Sequence, residues 1–199
     1  IVAYDPLELG DWVSALDGVD GVVHLAGAPI AGRWTPDFKH AIRQSREVGT
    51  RRLVEALAQV KNRPAVLVSS SACRYYGISD TASFDETSPP GDADDFLSNT
   101  CIIWEGEAEK ASTLGIRTVI LRHGFALAMT PRFRQTLLTF GRFAGGRVGS
   151  GRQWISWIHL DDTARLILQA LTDQTMSGPY NATAPRPVRM ADFGRHLGA

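Results

Sequence analysis

Ala65-Val66-Leu67-Val68-Ser69-Ser70-Ser71 decides the fold. A valine-rich run with no polar residue in its first half, ending in three small hydroxyl residues, reads as a strand buried on both faces. Such strands occur where helices cover a parallel sheet from both sides. Upstream, Phe38, Ile42, Ser45, Gly49, Leu53, Leu57 and Val60 recur at three- and four-residue spacing, which predicts one long helix from Pro36 to about Val60 with Thr35 as its N-cap. Before it, Val22-Val23-His24-Leu25 reads as another strand, stopped by Ala26-Gly27-Ala28-Pro29.

Downstream the alternation continues. Ser79 to Asp95 reads as a polar surface loop, and Trp104, Ala108 and Ala111 mark the inner face of a helix from about Thr100 to Leu114. Arg117 to Leu121 is the next strand. Phe133 to Phe143 reads as helical, Gly145-Gly146 as a turn, and Trp154 to Ile158 as a strand. Asp161 or Asp162 is the expected cap of a last helix with a core stripe of Ala164, Ile167, Leu168 and Leu171. The expected fold is α/β: a Rossmann-like, doubly wound parallel sheet forming a single domain over residues 1–199.

The chain carries 21 Lys+Arg and 21 Asp+Glu, so zero formal charge gives no electrostatic footprint for nucleic acid or an acidic membrane surface. No run is long and apolar enough to span a bilayer. The two cysteines, Cys73 and Cys101, form neither a metal cluster nor a secreted disulfide framework, and they point to a reducing, cytoplasmic compartment. The chain opens on Ile1 with neither an initiator Met nor a signal-peptide plan, which reads as a cut end.

In open parallel sheets, ligands bind beyond the carboxyl ends of the strands. The candidate residues are therefore Leu25, Ala26 and Gly27 after one strand, Ser69, Ser70 and Ser71 on the next, and Arg122, His123 and Gly124 after a third. Small residues at 26 and 27 let a planar cofactor approach the backbone, or they simply turn the chain. Ser71 is placed to donate a hydrogen bond to a substrate carbonyl. Arg152 and Trp154 offer a planar fork and a stacking face for a phosphate or sugar, and His159 stands at a strand end; core packing is the alternative for the tryptophans.

Together these segments resemble the extended short-chain dehydrogenase/reductases, which include sugar-nucleotide epimerases and dehydratases. The residues that carry the resemblance are Val23-His24-Leu25-Ala26-Gly27, Val48-Gly49-Thr50 through Glu55-Ala56, Ser69-Ser70-Ser71-Ala72 with Tyr76-Gly77, and Gly178-Pro179-Tyr180-Asn181. More narrowly, Ala26-Gly27-Ala28-Pro29-Ile30, Ser71 through Gly77, Cys101-Ile102-Ile103-Trp104-Glu105 and Gly149 through Asp162 are similar to the YfcH-type epimerase family proteins.

The resemblance implies NADP, or alternatively NAD, as cofactor, and a nucleotide sugar or other carbonyl compound as small-molecule substrate. It also implies a glycine-rich strand–turn–helix unit for the pyrophosphate, which this sequence lacks, together with a short C-terminal domain that it also lacks. Typical extended short-chain dehydrogenase/reductases use a Tyr and, four residues later, a Lys; Cys101 and Glu105 stand in those places, a substitution that the resemblance implies the YfcH-type proteins share. Glu105 keeps the option of accepting ribose hydroxyls, Cys101 reads as a packing residue or an acid/base, and Tyr75 or Tyr76 is the alternative proton source. A second implied role is a catalytically silent dinucleotide-binding protein, as a homodimer or with a partner in cell or plastid division. A plastid stroma location follows if the source is a photosynthetic eukaryote.

Overall fold

The structure, a computed structural model, describes residues 2–128 and 150–197. Its centre is a parallel sheet of β1 (Gly21–His24), β2 (Val66–Ala72), β3 (Arg117–His123) and β7 (Gly178–Ala182), hydrogen-bonded in that order. Two small sheets flank it: β4 (Phe125–Leu127) pairs in parallel with β6 (Trp157–His159), and β5 (Trp154–Ile155) runs antiparallel to β8 (Val188–Arg189).

The helices are α1 (Pro36–Gln59), α2 (Phe96–Glu109), α3 (Leu160–Thr172) and α4 (Met190–Leu197), and 3-10 turns cover Asp11–Leu16, Cys73–Tyr76 and Lys110–Leu114. Alternate residues of β2 serve opposite cores. Leu67 packs with Leu53, Leu57, Ala111 and Ile116 beneath α1, whereas Val66 and Val68 pack with Val119, Leu121, Ile158 and Ala170 beneath α3. This two-sided burial is the physical content of a doubly wound sheet, and each fully buried Val or Leu contributes about 1.5–3 kcal/mol.

The long helix starts where its cap predicts, since Thr35 Oγ1 accepts from the Phe38 N–H at 3.2 Å. Three expectations are corrected. The helix expected from Thr100 begins at Phe96, because Asp95 accepts from the Ser98 N–H and caps it earlier. The strand expected over Trp154 to Ile158 breaks at Ser156 into β5 and β6, which join different sheets.

The third correction concerns α3. His159, not an aspartate, is its N-cap, with Nδ1 accepting from the Asp161 N–H at 3.2 Å. Thr163 and Ala170 are its buried residues, flanked by Leu166, Ile167 and Leu171, while Ala164 and Leu168 face outward. The buried stripe is therefore rotated from the one hydrophobicity alone suggests. The expected helix at Phe133 to Phe143 and the turn at Gly145-Gly146 lie outside the described residues.

Candidate functional site

Ser71 on β2, Arg122 on β3 and Asn181 on β7 occupy directly paired positions, Ser71 opposite Arg122 and Arg122 opposite Asn181. Paired residues in a sheet point to the same face, so one row near the carboxyl ends of the strands carries three polar side chains side by side. Glu105 on α2 meets this row from above. Ser71 Oγ donates to Glu105 Oε1 at 2.5 Å, and Arg122 donates through Nε to Oε1 at 3.0 Å and through Nη2 to Oε2 at 2.8 Å. All three residues are buried.

Burial opposes the Arg122 charge, yet its hydrogen bonds to Glu105 and Tyr76 hold the guanidinium above the usual arginine range. A bidentate, charge-assisted pair of this kind replaces the water both ions have lost. Two sequence expectations change as a result. The Ser71 proton is held by Glu105, so Ser71 is an acceptor rather than a donor toward anything bound nearby. Glu105 is no solvated carboxylate, since both of its oxygens already accept from Ser71 and Arg122 in the buried network.

The network continues outward. Arg122 Nη1 donates to the Tyr76 hydroxyl at 2.9 Å, and that hydroxyl donates to Asn181 Oδ1 at 2.7 Å. Tyr76 is buried beneath Phe84, their rings stacked 5.2 Å apart. Tyr75, half-buried, lays its ring over the guanidinium at 3.6 Å. The loop carrying Phe84 is pinched at its neck, where the Gly91 N–H donates to the Tyr75 carbonyl at 2.8 Å and Gly77 turns at φ +78. From this loop Glu86 Oε1 accepts the Asn181 N–H at 2.7 Å.

The end of β1 forms the neighbouring part of the cleft. Leu25 and Gly27 are exposed and Ala26 half-buried. Beneath Gly27 lies Arg46 of α1: its Nη1 donates to the Ala28 and Ile42 carbonyls, each at 3.1 Å, and its guanidinium covers the Trp104 ring at 5.0 Å. A Cβ at position 27 would come within 3.1 Å of that guanidinium. Among the described residues no carboxylate pairs with Arg46, and Trp104 Nε1 is buried without a hydrogen-bond partner. The arrangement can hold an oxyanion. Sequence reading missed Arg46, although a charged residue midway between Ile42 and Thr50 on the inward face of α1 was the available signal. It also missed Glu86 and gave Asn181 no role in the site.

The other candidates are distributed as follows. Cys101 is buried, and its thiol is pushed up to about 12 by burial and then by Glu105, against the lowering influence of Arg46. Both burial and the neighbouring carboxylate disfavour the thiolate that a nucleophile needs. Ser69 is fully buried and Ser70 half-buried on β2. His123 is half-buried, with burial lowering its pKa. Gly124 is required by packing, since a Cβ there would lie 2.7 Å from the Ser156 carbonyl oxygen.

Trp154 is exposed, donates through Nε1 to the Asp80 carbonyl at 3.1 Å and carries the Arg189 guanidinium at 3.7 Å over its ring. Arg152 is exposed beside it, its carbonyl accepting from Arg189. His159 is exposed and spent as the α3 cap. Among the described residues, no hydrogen bond, ion pair or ring contact joins these three to the Glu105–Arg122 network. Among the described residues no acidic, Cys or His cluster suits a metal ion, and no helix is long and apolar enough to cross a membrane.

A parallel, doubly wound sheet with its polar residues gathered at the strand carboxyl ends defines a nucleotide-binding class of fold. The family model for the NAD dependent epimerase/dehydratase family matches residues 1–182, and the chain belongs to that family.

Among its relatives is the chloroplastic epimerase family protein SDR39U1 homolog of Arabidopsis thaliana, 42% identical over 96% of this chain and 55% of the relative. The crystal structure of human epimerase family protein SDR39U1 (isoform2) with NADPH superimposes with a TM-score of 0.83 at 32% identity, covering 94% of this chain and 66% of that one. The nucleoside-diphosphate sugar epimerase of Corynebacterium glutamicum gives a TM-score of 0.78 at 36% identity, covering 98% and 40%. The chain thus spans little more than half the length of the Arabidopsis relative.

Proposed function

We propose that this chain forms the cleft-bearing domain of an NADP-dependent oxidoreductase or epimerase, with NAD as the alternative cofactor, acting on a nucleotide sugar or another carbonyl compound. The observation that carries the reading is the pairing, along one rim of the sheet, of an open cation, Arg46, with a proton-bearing cluster, Tyr75, Tyr76 and Arg122. The NADPH bound by the human relative supports the cofactor, and the Corynebacterium enzyme supports the substrate class. Membership of the YfcH-type subgroup, a single domain and a cytoplasmic or stromal location belong to the same proposal.

The residues present fit a dinucleotide. Gly27 leaves open the space a Cβ would fill, and Arg46, unpaired with any described carboxylate, suits a phosphate there. Ala26 and Leu25 would line the same strip. A bound nicotinamide supplies or accepts hydride. The chain's own part is to hold the substrate, exclude water and exchange a proton through a tyrosine, while Ser71 and Glu105 keep Arg122 in place. Arg152 and Trp154 would bind phosphate or base at a separate position.

A second reading, a catalytically silent dinucleotide-binding partner in cell or plastid division, is favoured by one observation: the positions where the resemblance to the wider extended short-chain dehydrogenase/reductases places Tyr and Lys hold a buried, high-pKa thiol and a carboxylate already paired.

Titration of NADPH and NADH, followed by tryptophan quenching, tests the cofactor in this chain and in a version preceded by the glycine-rich strand–turn–helix that the resemblance implies. Quenching in the extended version, lost in Arg46→Ala, supports the proposal. No binding in either refutes it. Oxidation of bound NADPH by members of a nucleotide-sugar and ketone panel supports the enzyme, and binding without turnover across that panel supports the silent partner.

A further inference from the structure

With Cys101 and Glu105 removed as acid and cation, the proton-transfer machinery has to be sought elsewhere at the strand ends. Tyr76 does not serve, because its hydroxyl is fixed between Arg122 Nη1 at 2.9 Å and Asn181 Oδ1 at 2.7 Å and its ring is buried under Phe84. Its neighbour differs. Tyr75 is half-buried at the same strand end, its hydroxyl donates to no described residue, and the Arg122 guanidinium lies 3.6 Å from its ring centroid.

A phenolate spreads part of its charge into the ring, so a cation on the ring face favours it. Arg122 cannot drift from that face, because Glu105 grips it in two places at 3.0 and 2.8 Å.

We infer that Tyr75 is the proton donor for reduction of a substrate carbonyl, that Arg122 is the cation holding the phenolate left behind, and that Glu105 is the positioning residue for Arg122. This rests on the oxidoreductase reading above. The hydroxyl proton of Tyr75 passes to the carbonyl oxygen as the carbonyl carbon receives hydride from the reduced dinucleotide, giving an alcohol, an oxidised dinucleotide and a phenolate that water reprotonates. In the opposite direction the phenolate takes the proton of the alcohol. The Tyr/Lys pair that the resemblance places on one helix is thereby replaced by a pair from the turn after β2 and from β3.

The charged groups facing Tyr75 are Arg122 on β3 and Glu105 and Glu109 on α2; burial raises its pKa, Arg122 lowers it, and the two glutamates raise it. Tyr75 therefore stays protonated at neutral pH, as a donor must.

The test needs neither cofactor nor substrate: tyrosines labelled with 13C at Cζ are titrated by NMR, with Tyr75→Phe assigning the resonance. Glu105→Gln, by releasing Arg122 from the ring, is expected to move the Tyr75 titration to higher pH and Glu105→Asp to restore it, whereas the surface change Glu109→Gln, which removes only a negative charge, moves it to lower pH. A fall with Glu105→Gln, the result of charge loss alone, overturns the positioning role. Circular dichroism checks each fold. If Glu105→Gln does not fold, Arg122→Lys, which keeps the charge but not the two-point grip, decides by the same rise. A Tyr75 titration that both folded variants leave unmoved overturns the assignment, and so does one that Glu105→Asp shifts as far as Glu105→Gln. These outcomes are independent of dinucleotide binding, so failure here is distinct from failure of the oxidoreductase reading.

Discussion

His24 Nε2 and Thr50 Oγ1 share a hydrogen bond of 2.9 Å that ties the end of β1 to the middle of α1, with both residues buried. Burial lowers the His24 pKa to about 4, below its value of 6.5 in the unfolded chain. Between those values the unfolded state binds the extra proton, so the stability contribution is complete above pH 6.5 and is lost as pH falls toward 4. Denaturant unfolding at pH 5 is expected to give a stability about 2 kcal/mol below that at pH 7 from this group. His24→Gln should flatten that part of the profile.

Arg122 and Glu105 are a buried pair, their side chains 4% and 5% exposed. Arg122→Met alone leaves Glu105 buried without its cation and is expected to cost about 3–5 kcal/mol. Adding Glu105→Gln should recover part of that loss. Urea titrations of the two single variants and the double variant measure the coupling, and strict additivity would contradict the pairing described here.

The loop neck predicts a sharp glycine requirement. A Cβ at position 91 would sit 2.6 Å from the Gly77 nitrogen, a backbone atom with nowhere to move. Gly91→Ala is expected to destabilise the protein by about 1–3 kcal/mol and to loosen Phe84 from Tyr76. Thermal melts give the first effect, and proteolysis within residues 78–90 gives the second.

Thiol chemistry separates the two cysteines. Cys101 holds its proton up to about pH 12, whereas Cys73, also raised by burial, is less enclosed. Iodoacetamide at neutral pH is expected to label Cys73 slowly and Cys101 only after unfolding, and peptide mass mapping reads the difference. Cys101→Ala should leave dinucleotide binding intact.

The fold was legible wherever one period dominated. Leu67 between Val66 and Val68 announced a strand covered on both faces, and Thr35-Pro36 announced the start of α1. Where polarity and packing compete, reading by hydrophobicity failed: Thr163 and Ala170 are the buried residues of α3, with Leu166, Ile167 and Leu171 beside them, while Leu168 faces out. Ser71, Glu105 and Arg122 were each legible as residues of the strand-end region, but their mutual bonding was not, since 34 positions separate Ser71 from Glu105 and 17 separate Glu105 from Arg122. A carboxylate on a helix looks solvated until its partner's strand is known. Arg46 escaped because an apolar period marks hydrophobic positions of a helix and gives no sign of an inward cation among them.

The single row of Ser71, Arg122 and Asn181 links assembly to chemistry. Side chains alternate along a strand, so sliding β3 by one residue against β2 would turn Arg122 to the opposite face and bring Leu121 or His123 beside Ser71. Glu105 would then be stranded in an apolar layer. The same slip would drive Val119 and Leu121 out of their core. A mispaired sheet thus loses hydrophobic contacts and an ion pair in one step. The polar cluster works as a register key, and a chain that reaches its stable pairing has already built the site.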